Sequence, residues 1–284
     1  MISTDSFAIC GIGVNGDAAP IPEQSVVRFH DPAPFVPVGK CHQRIIRDQE
    51  AGDHALWYPT SLCPSSAQVR IADRALVAPI IEKYEWLGTL PDNTSHYAAL
   101  ILPIEVVVGV VAFSVSRFGG HASLLGHRAI YLSRGATLPL APSWSSSFLI
   151  RRSIRLLFGE ETPLFVVAFS DWSAGELGTV YQASGWTYLG EIVSEEWLEP
   201  NGLRRDASFH KVLCVSGSEH RRTGRVASAV DYQEKKGRLL GEGWKLRKVR
   251  RGKYACVAGK HGRLFRELEA LLSARSNPYP KRAP

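Results

Sequence analysis

The run Leu164–Phe169 (LFVVAF) is short and continuously apolar, and it leads without a break into SDWSAGE, Ser170–Glu176. Six apolar residues with no polar alternation suit a strand buried on both faces, the position of a parallel strand inside an α/β sheet. Ser173 and Glu176 stand at the S-x-x-E spacing of a capping box, which predicts a helix opening there, running to about Ser184 and stopping at Gly185. On this reading Asp171 ends the strand just outside the box and is not needed as its cap. A further strand, Trp186–Ile192, follows at once. Strand, helix and strand in so short a span restrict the chain to an α/β domain.

Other segments agree with that class. Ala75, Leu76, Ile80, Ile81, Tyr84 and Leu87 recur at helical spacing, Pro79 splits or kinks the segment, and Gly88 sits where a helix end wants a left-handed residue. Tyr97–Leu102 and Val106–Ser114 read as a hairpin, and Ala129–Leu132 and His210–Val215 as further strands. Ser145–Phe158 is a second helix, with Ser145–Ser147 as candidate N-caps and Gly159 as its stop. Residues 1–68 are rich in Pro and Gly and read as an irregular extension. The expected division is that extension, a core over 69–200, and a C-terminal part of the same domain over 201–284.

Charge separates the last two. Residues 201–284 hold 21 Lys/Arg against 7 Asp/Glu, a net +14, whereas residues 1–200 hold 13 against 20, a net −7. Such asymmetry points to a polyanion-facing surface, most often nucleic acid; the plainer alternative is a solvated basic tail. The longest apolar run, around Ile104–Val115, is broken by Glu105 and Gly109 and falls short of a membrane span. The N-terminus has no secretory pattern, and the five scattered cysteines form no C-x-x-C pair, so a reducing cytoplasm is expected. No H-x-E or H-x-x-x-H spacing occurs, so no metal is expected.

Five motifs occur in one order: YEWLGTLP (Tyr84–Pro91), LSRGA (Leu132–Ala136), S-x-S-x-L-I-R-R (Ser145–Arg152), D-x-x-A-G-E-x-G-T-x-Y-Q-A (Asp171–Ala183) and PYPKR (Pro278–Arg282). The strand–helix–Tyr-x-x-x-Gly-aromatic–strand unit around Tyr181 resembles the last motif of the GNAT acyltransferases. The wider set resembles the phage Mom and Mom-like DNA-modification family over roughly Ile71–Arg282. That resemblance implies a GNAT-like mixed central sheet flanked by helices, with the extension and the basic segment attached to it. It implies transfer of an acyl or carbamoylmethyl-like group to an amino group of a DNA base, adenine or a hypermodified pyrimidine. The donor implied is acetyl-CoA or another acyl-CoA-type compound, and the setting is a phage protein in a bacterial cytoplasm. One departure is plain: the superfamily's usual R-x-x-G-x-G/A phosphate loop is absent.

Within this frame Tyr181 is expected to protonate the departing thiolate, with amphipathic core packing as the alternative. Asp171 stands at the C-terminal end of a core strand as base or orienter for the attacking amine, or as a structural Asp bonding loop amides. Glu85 is either a second acid/base group or the exposed residue of a helix whose Tyr84 and Leu87 pack inward. A helix N-terminus supplies N–H donors and a favourable dipole for a pyrophosphate, which places Ser145, Ser147 and Arg151 against the donor, together with Ser133, Arg134 and Gly135 of LSRGA. Arg152 and Arg155 read as a solvated face.

Three basic clusters are expected to meet DNA phosphates: Arg221, Arg222 and Arg225; Lys235 and Lys236, beside Arg238; and Lys245, Arg247, Lys248, Arg250, Arg251 and Lys253. A base amine is reached by extruding the base or from a single strand, which calls for an aromatic-lined pocket, with Trp86 and Trp172 as candidates. Two other readings stay open: a GNAT enzyme acting on tRNA or a protein amine, and a non-catalytic nucleic-acid-binding protein on the same scaffold.

Overall fold

The computed structural model describes residues 63–281 apart from 86, 92, 104, 116–121, 140, 203 and 207–228. The predicted strand His210–Val215, the cluster Arg221, Arg222 and Arg225, and Trp86 lie outside the described residues. No helix among the described residues is long and apolar enough to cross a membrane.

In chain order the elements are β1 Gln68–Ile71, α1 Arg74–Tyr84, β2 Thr94–Leu102, β3 Val106–Ser114, β4 Ala122–Leu124, β5 His127–Thr137, α2 Ser145–Phe158 and β6 Leu164–Asp171. They continue with α3 Thr179–Ala183, β7 Thr187–Leu198, β8 Arg204–Asp206, α4 Ala229–Gly241, β9 Lys245–Ala258 and α5 Arg263–Ser273. One mixed sheet runs β1-β2-β3-β5-β6-β9-β7-β8, with β4 on β5. The architecture is a mixed sheet flanked by helices, the fold class that the motifs imply.

Three helices, α1, α2 and α5, each bury one apolar stripe. On one face of the sheet α2 sets Leu149, Ile150, Ile154 and Phe158 against Leu100, Val108, Phe113, Leu164 and Val166. On the other face α1 sets Val77, Ile80, Ile81 and Tyr84 against Ala99, Ile101, Val110 and Ala112, while Leu268 and Leu272 of α5 cover Phe165 and Val167. Full burial of such a side chain is worth about 1.5–3 kcal/mol, so these stripes fix which way each helix faces.

Several expectations are corrected. Pro79 sits inside a continuous α1, which ends at Tyr84 rather than Leu87. The carboxylate of Glu85 accepts from Leu87 N at 2.9 Å and turns the chain, and Gly88 (φ +55°) closes that turn by donating to Glu85 O. Ser145–Ser147 are not N-caps: Trp144 holds that position without a side-chain cap bond. The capping box does not form. Asp171, read as outside the cap, is itself the cap of a 3-10 turn over Trp172–Ala174, and Gly175 and Gly178 (φ +71° and +72°) bend the chain before the short α3. Left-handed glycines cannot continue a helix, so the long helix predicted from Ser173 is interrupted.

The basic segment changes most. β9, unpredicted, is an interior strand lying between β6 and β7, antiparallel to both. Its neighbour β7 carries Glu191, Glu195 and Glu196, and the register sets Glu196 opposite Arg247 and Glu195 opposite Lys248. The acidic and basic stretches that are far apart in sequence are therefore adjacent strands.

Candidate functional site

Among the described strands one pairing is parallel, and it is short. β5 and β6 share just three residue pairs, Ala129 with Phe165, Ile130 with Val166 and Tyr131 with Val167. Beyond them β5 pairs outward with β3 and β6 outward with β9. Past Tyr131 and Val167 the two strands no longer pair, which leaves a gap between their ends.

A β-bulge directs charge into this gap. The β3–β5 register jumps between Ala112–Arg134 and Phe113–Leu132, so the faces swap across Ser133. Ile130 and Leu132 face α2, whereas Arg134 and Ala136 face α1. Ser133 stitches the bulge: its hydroxyl donates to Ala112 O at 3.0 Å and accepts from Ser114 Oγ at 2.8 Å. Arg134 then donates to Thr89 O at 2.7 Å and Ser133 O at 2.6 Å, and its Nε lies 3.7 Å from Glu85 Oε2. The LSRGA motif thus aims Arg134 at Glu85, and Gly135 turns inward against Val111.

Glu85 is buried at the C-terminal end of α1, its side chain 10% exposed. Burial pushes its carboxyl above the ordinary range, and the approach of Asp171 adds to this; Arg134 and the amides of Leu87 and Gly88 oppose without cancelling it. Tyr181 comes to the same gap from the α2 face. Its ring packs on Trp186 (5.2 Å between centroids) and Tyr254 (5.1 Å). Burial raises its hydroxyl far above the usual tyrosine value, with Glu176 and Glu85 adding to the effect. The three residues singled out for catalysis, from two motifs far apart in sequence, therefore meet around one opening.

Asp171 is 3% exposed at the end of β6. Its Oδ1 accepts from Ser173 N (2.9 Å), Ser173 Oγ (2.5 Å) and Ala174 N (3.2 Å). Its Oδ2 faces Arg251 Nε at 3.4 Å. A carboxylate so held has a fixed place at the end of the strand, which suits it to orient a partner.

Ser145, at the first position of α2, is fully buried and its Oγ has no hydrogen-bond partner. Ser147 Oγ donates to Trp144 O, and Arg151 is exposed on the helix. An orphan hydroxyl at a helix N-terminus beside an open pair of strand edges suits an extended ligand with a phosphate, so the residues present fit a CoA-type group.

The expected phosphate-binding residues divide. Lys235 and Lys236 lie on α4, and Lys245, Lys248 and Lys253 on β9. Arg247 and Arg250 are ion-paired with Glu196 and Glu191, and Arg250 also stacks on Trp172 at 5.0 Å. Arg251 is turned into the site. Its part there was missed because K-L-R-K-V-R-R reads as a charge cluster; the signal was the apolar run Tyr254–Ala258 ending at Gly259, a strand's mark.

Gly178 shows how tightly the aromatic wall is built. A Cβ there would stand 2.4 Å from the Tyr254 ring, whose hydroxyl donates to Leu177 O at 2.5 Å. Gly178→Ala combines a left-handed strain with overpacking and is expected to cost about 2–4 kcal/mol. A thermal melt falling by less than about 4 °C would contradict this packing.

Solved structures similar to this chain include the spermidine N-acetyltransferase of Vibrio cholerae in complex with CoA and spermine (10% identity, 46% of this chain and 86% of that one, TM-score 0.33). Others are a putative phosphinothricin N-acetyltransferase (13%, 45% and 87%, TM-score 0.29) and the histone acetyltransferase HPA2 and related acetyltransferase of Corynebacterium glutamicum (18%, 45% and 88%, TM-score 0.30). No curated protein sequence matches. The model of the Mom protein family matches residues 66–281, a span that takes in the motifs from Tyr84 to Ala183, all but the last residue of PYPKR, and all the described strands. The chain belongs to the Mom protein family.

Proposed function

We propose that this chain is a DNA-modifying transferase that places an acyl or acyl-derived, carbamoylmethyl-like group on an exocyclic amino group of a DNA base, taken from an acyl-CoA-type donor, and so protects the DNA from restriction. The observation that carries the reading is the meeting of Glu85 and Tyr181 at the β5–β6 gap in a chain of this family. A carboxylate raised by burial accepts a proton readily, and a tyrosine raised by burial stays protonated to give one.

In the acyl case the base nitrogen attacks the donor carbonyl as its N–H proton passes to Glu85. The carbon–sulfur bond breaks and the Tyr181 hydroxyl protonates the departing sulfur. The proton gained by Glu85 balances the one given by Tyr181, and exchange with solvent resets both. An exocyclic base amine is a poor nucleophile, so orientation by Asp171 counts as much as proton removal. A CoA-type donor would be held by Ser145 and the first-turn amides of α2, and supplies an activated carbonyl with a good leaving group.

DNA would be held by the cations that acidic strands do not already occupy. Lys245→Gln and Lys253→Gln, on the same strand and opposite Leu198 and Phe169, are each expected to lower the steepness of the log–log salt dependence of duplex binding by about 1, with no base preference. An unchanged slope in both variants would remove β9 from the DNA contact.

The decisive test is nucleoside mass spectrometry on DNA from cells expressing the chain or its Asp171→Asn variant. A modified nucleoside with the wild type, reduced with the variant, is the expected result. Unmodified DNA beside modified tRNA or protein would favour a GNAT enzyme acting on another amine. Coenzyme A is expected to raise stability by about 2.7 kcal/mol at a hundredfold excess over its Kd.

A further inference from the structure

We propose that Arg251 and Glu196 are positioning residues for the reaction: Glu196 anchors the Arg251 guanidinium, and Arg251 fixes the Oδ2 side of Asp171 at the mouth of the gap. The inference rests on the reading of Asp171 as the group that orients the amine. It reassigns an arginine whose sequence setting suggested a phosphate contact.

Arg251 sits on an interior strand, directly opposite Asp171 across the β6–β9 pairing and opposite Ile192 across β7–β9. Its side chain is 17% exposed, which is unusual for a cation that serves only to meet phosphates. One of its nitrogens lies 3.4 Å from Asp171 Oδ2 and another 4.0 Å from Glu196 Oε2. Glu196 is 1% exposed and also receives Arg247 on its other oxygen. The groups alternate in sign, Arg247–Glu196–Arg251–Asp171, and run from the surface to the gap.

Folding alone does not call for this arrangement. Well-packed apolar residues of similar volume replace buried ion pairs with little loss, so a carboxylate as deep as Glu196 points to a task other than stability. Arginine suits that task because its rigid planar fork addresses two carboxylates at once, which an ammonium cannot do. The other oxygen of Asp171 is taken up by the Trp172–Ala174 turn, so Oδ2 is held facing the buried Arg251 Nε, an ion pair without a hydrogen bond that turns on this one alignment.

The test compares wild type, Arg251→Gln, Arg251→Lys, Asp171→Asn and the double variant Arg251→Gln/Asp171→Asn as full-length chains. Two quantities are measured: the rate at which modified nucleoside appears in cellular DNA per folded enzyme, and the Kd for a plasmid duplex across salt concentrations. Arg251→Gln is expected to lower the rate by about a hundredfold, the cost of a misplaced reacting group, while duplex Kd and its salt slope stay within twofold. Arg251→Lys keeps the buried charge, and so the fold, and is expected to recover part of the rate. In the Asp171→Asn background Arg251→Gln is expected to cost less than threefold more, because its effect passes through the lost carboxylate.

A fall in duplex affinity and salt slope that accounts for the whole rate loss would overturn the proposal in favour of a phosphate contact. So would equal losses in both backgrounds, or an unaltered rate in Arg251→Lys and Arg251→Gln alike. If Asp171→Asn itself leaves the rate unchanged, the orienting role of Asp171 fails, and an unmodified wild-type sample removes the DNA reading as a whole.

Discussion

Glu85→Gln is expected to lower the rate of DNA modification by about 10²–10⁴-fold while leaving the melting temperature at neutral pH no lower than that of the wild type. The two outcomes have one cause. Burial raises the Glu85 carboxyl above its unfolded value, beyond what Arg134 recovers. The folded chain therefore binds this proton more tightly than the unfolded chain. Between the ordinary carboxylate range and the raised value the native state carries more protons, so this group's contribution to stability falls as pH rises through that window. The neutral isostere keeps the shape, can still accept from Leu87 N, and has no such loss. Activity runs the other way. A proton acceptor must be ionised, so the rate should drop as pH falls through the raised value, at a pH above that expected of an exposed carboxylate. Rate and melting curves measured across pH on wild type and Glu85→Gln check both signs. A variant that melts well below the wild type at neutral pH, or keeps its rate, would remove Glu85 as the proton acceptor.

Tyr181→Phe is the companion expectation, a loss of about 10²–10⁴-fold with little change in fold. The ring packs on Trp186 and Tyr254 whether or not it bears a hydroxyl, so the aromatic contacts survive. What is lost is a proton held through the working range by burial and by the nearby carboxylates Glu176 and Glu85. Binding of coenzyme A, read by thermal stabilisation, should be retained. This separates a lost proton donor from a lost binding site. If Tyr181→Phe retains the wild-type rate, the tyrosine is a packing residue, and the proton for the leaving group comes from elsewhere.

Part of this site was legible before any coordinates. Leu164–Phe169 announces a buried strand because no alternation is possible for a residue covered on both faces, and β6 lies there with every residue but Phe169 buried. α2 was readable to the residue, since Leu149, Ile150, Ile154 and Phe158 make one stripe and Gly159 ends it. Asp171, Tyr181 and Glu85 stood out by their motifs. Their neighbours did not. A capping box is a local pattern, and at Ser173–Glu176 it lost to Asp171, whose carboxylate takes Ser173 N and whose carbonyl takes Glu176 N, the two amides the box would use, in a tighter turn. Nothing local marks Ser133 as the site of a bulge, because a bulge is a mismatch between two strands and exists only once they pair.

The chain alone determined the α/β class, the family motifs and the total of its charges, all of which depend on residue identity and short-range spacing. Which charges meet was decided by the tertiary structure. The sequence separates a −7 stretch from a +14 stretch, yet β9 crosses back to lie between β6 and β7, and pairing at about 5 Å between strands sets arginines against glutamates some fifty residues away. Arg247 and Arg250 are paired on that seam, and Arg251 is carried into the site. Coulomb energy depends on distance through space, and only the folded sheet sets that distance.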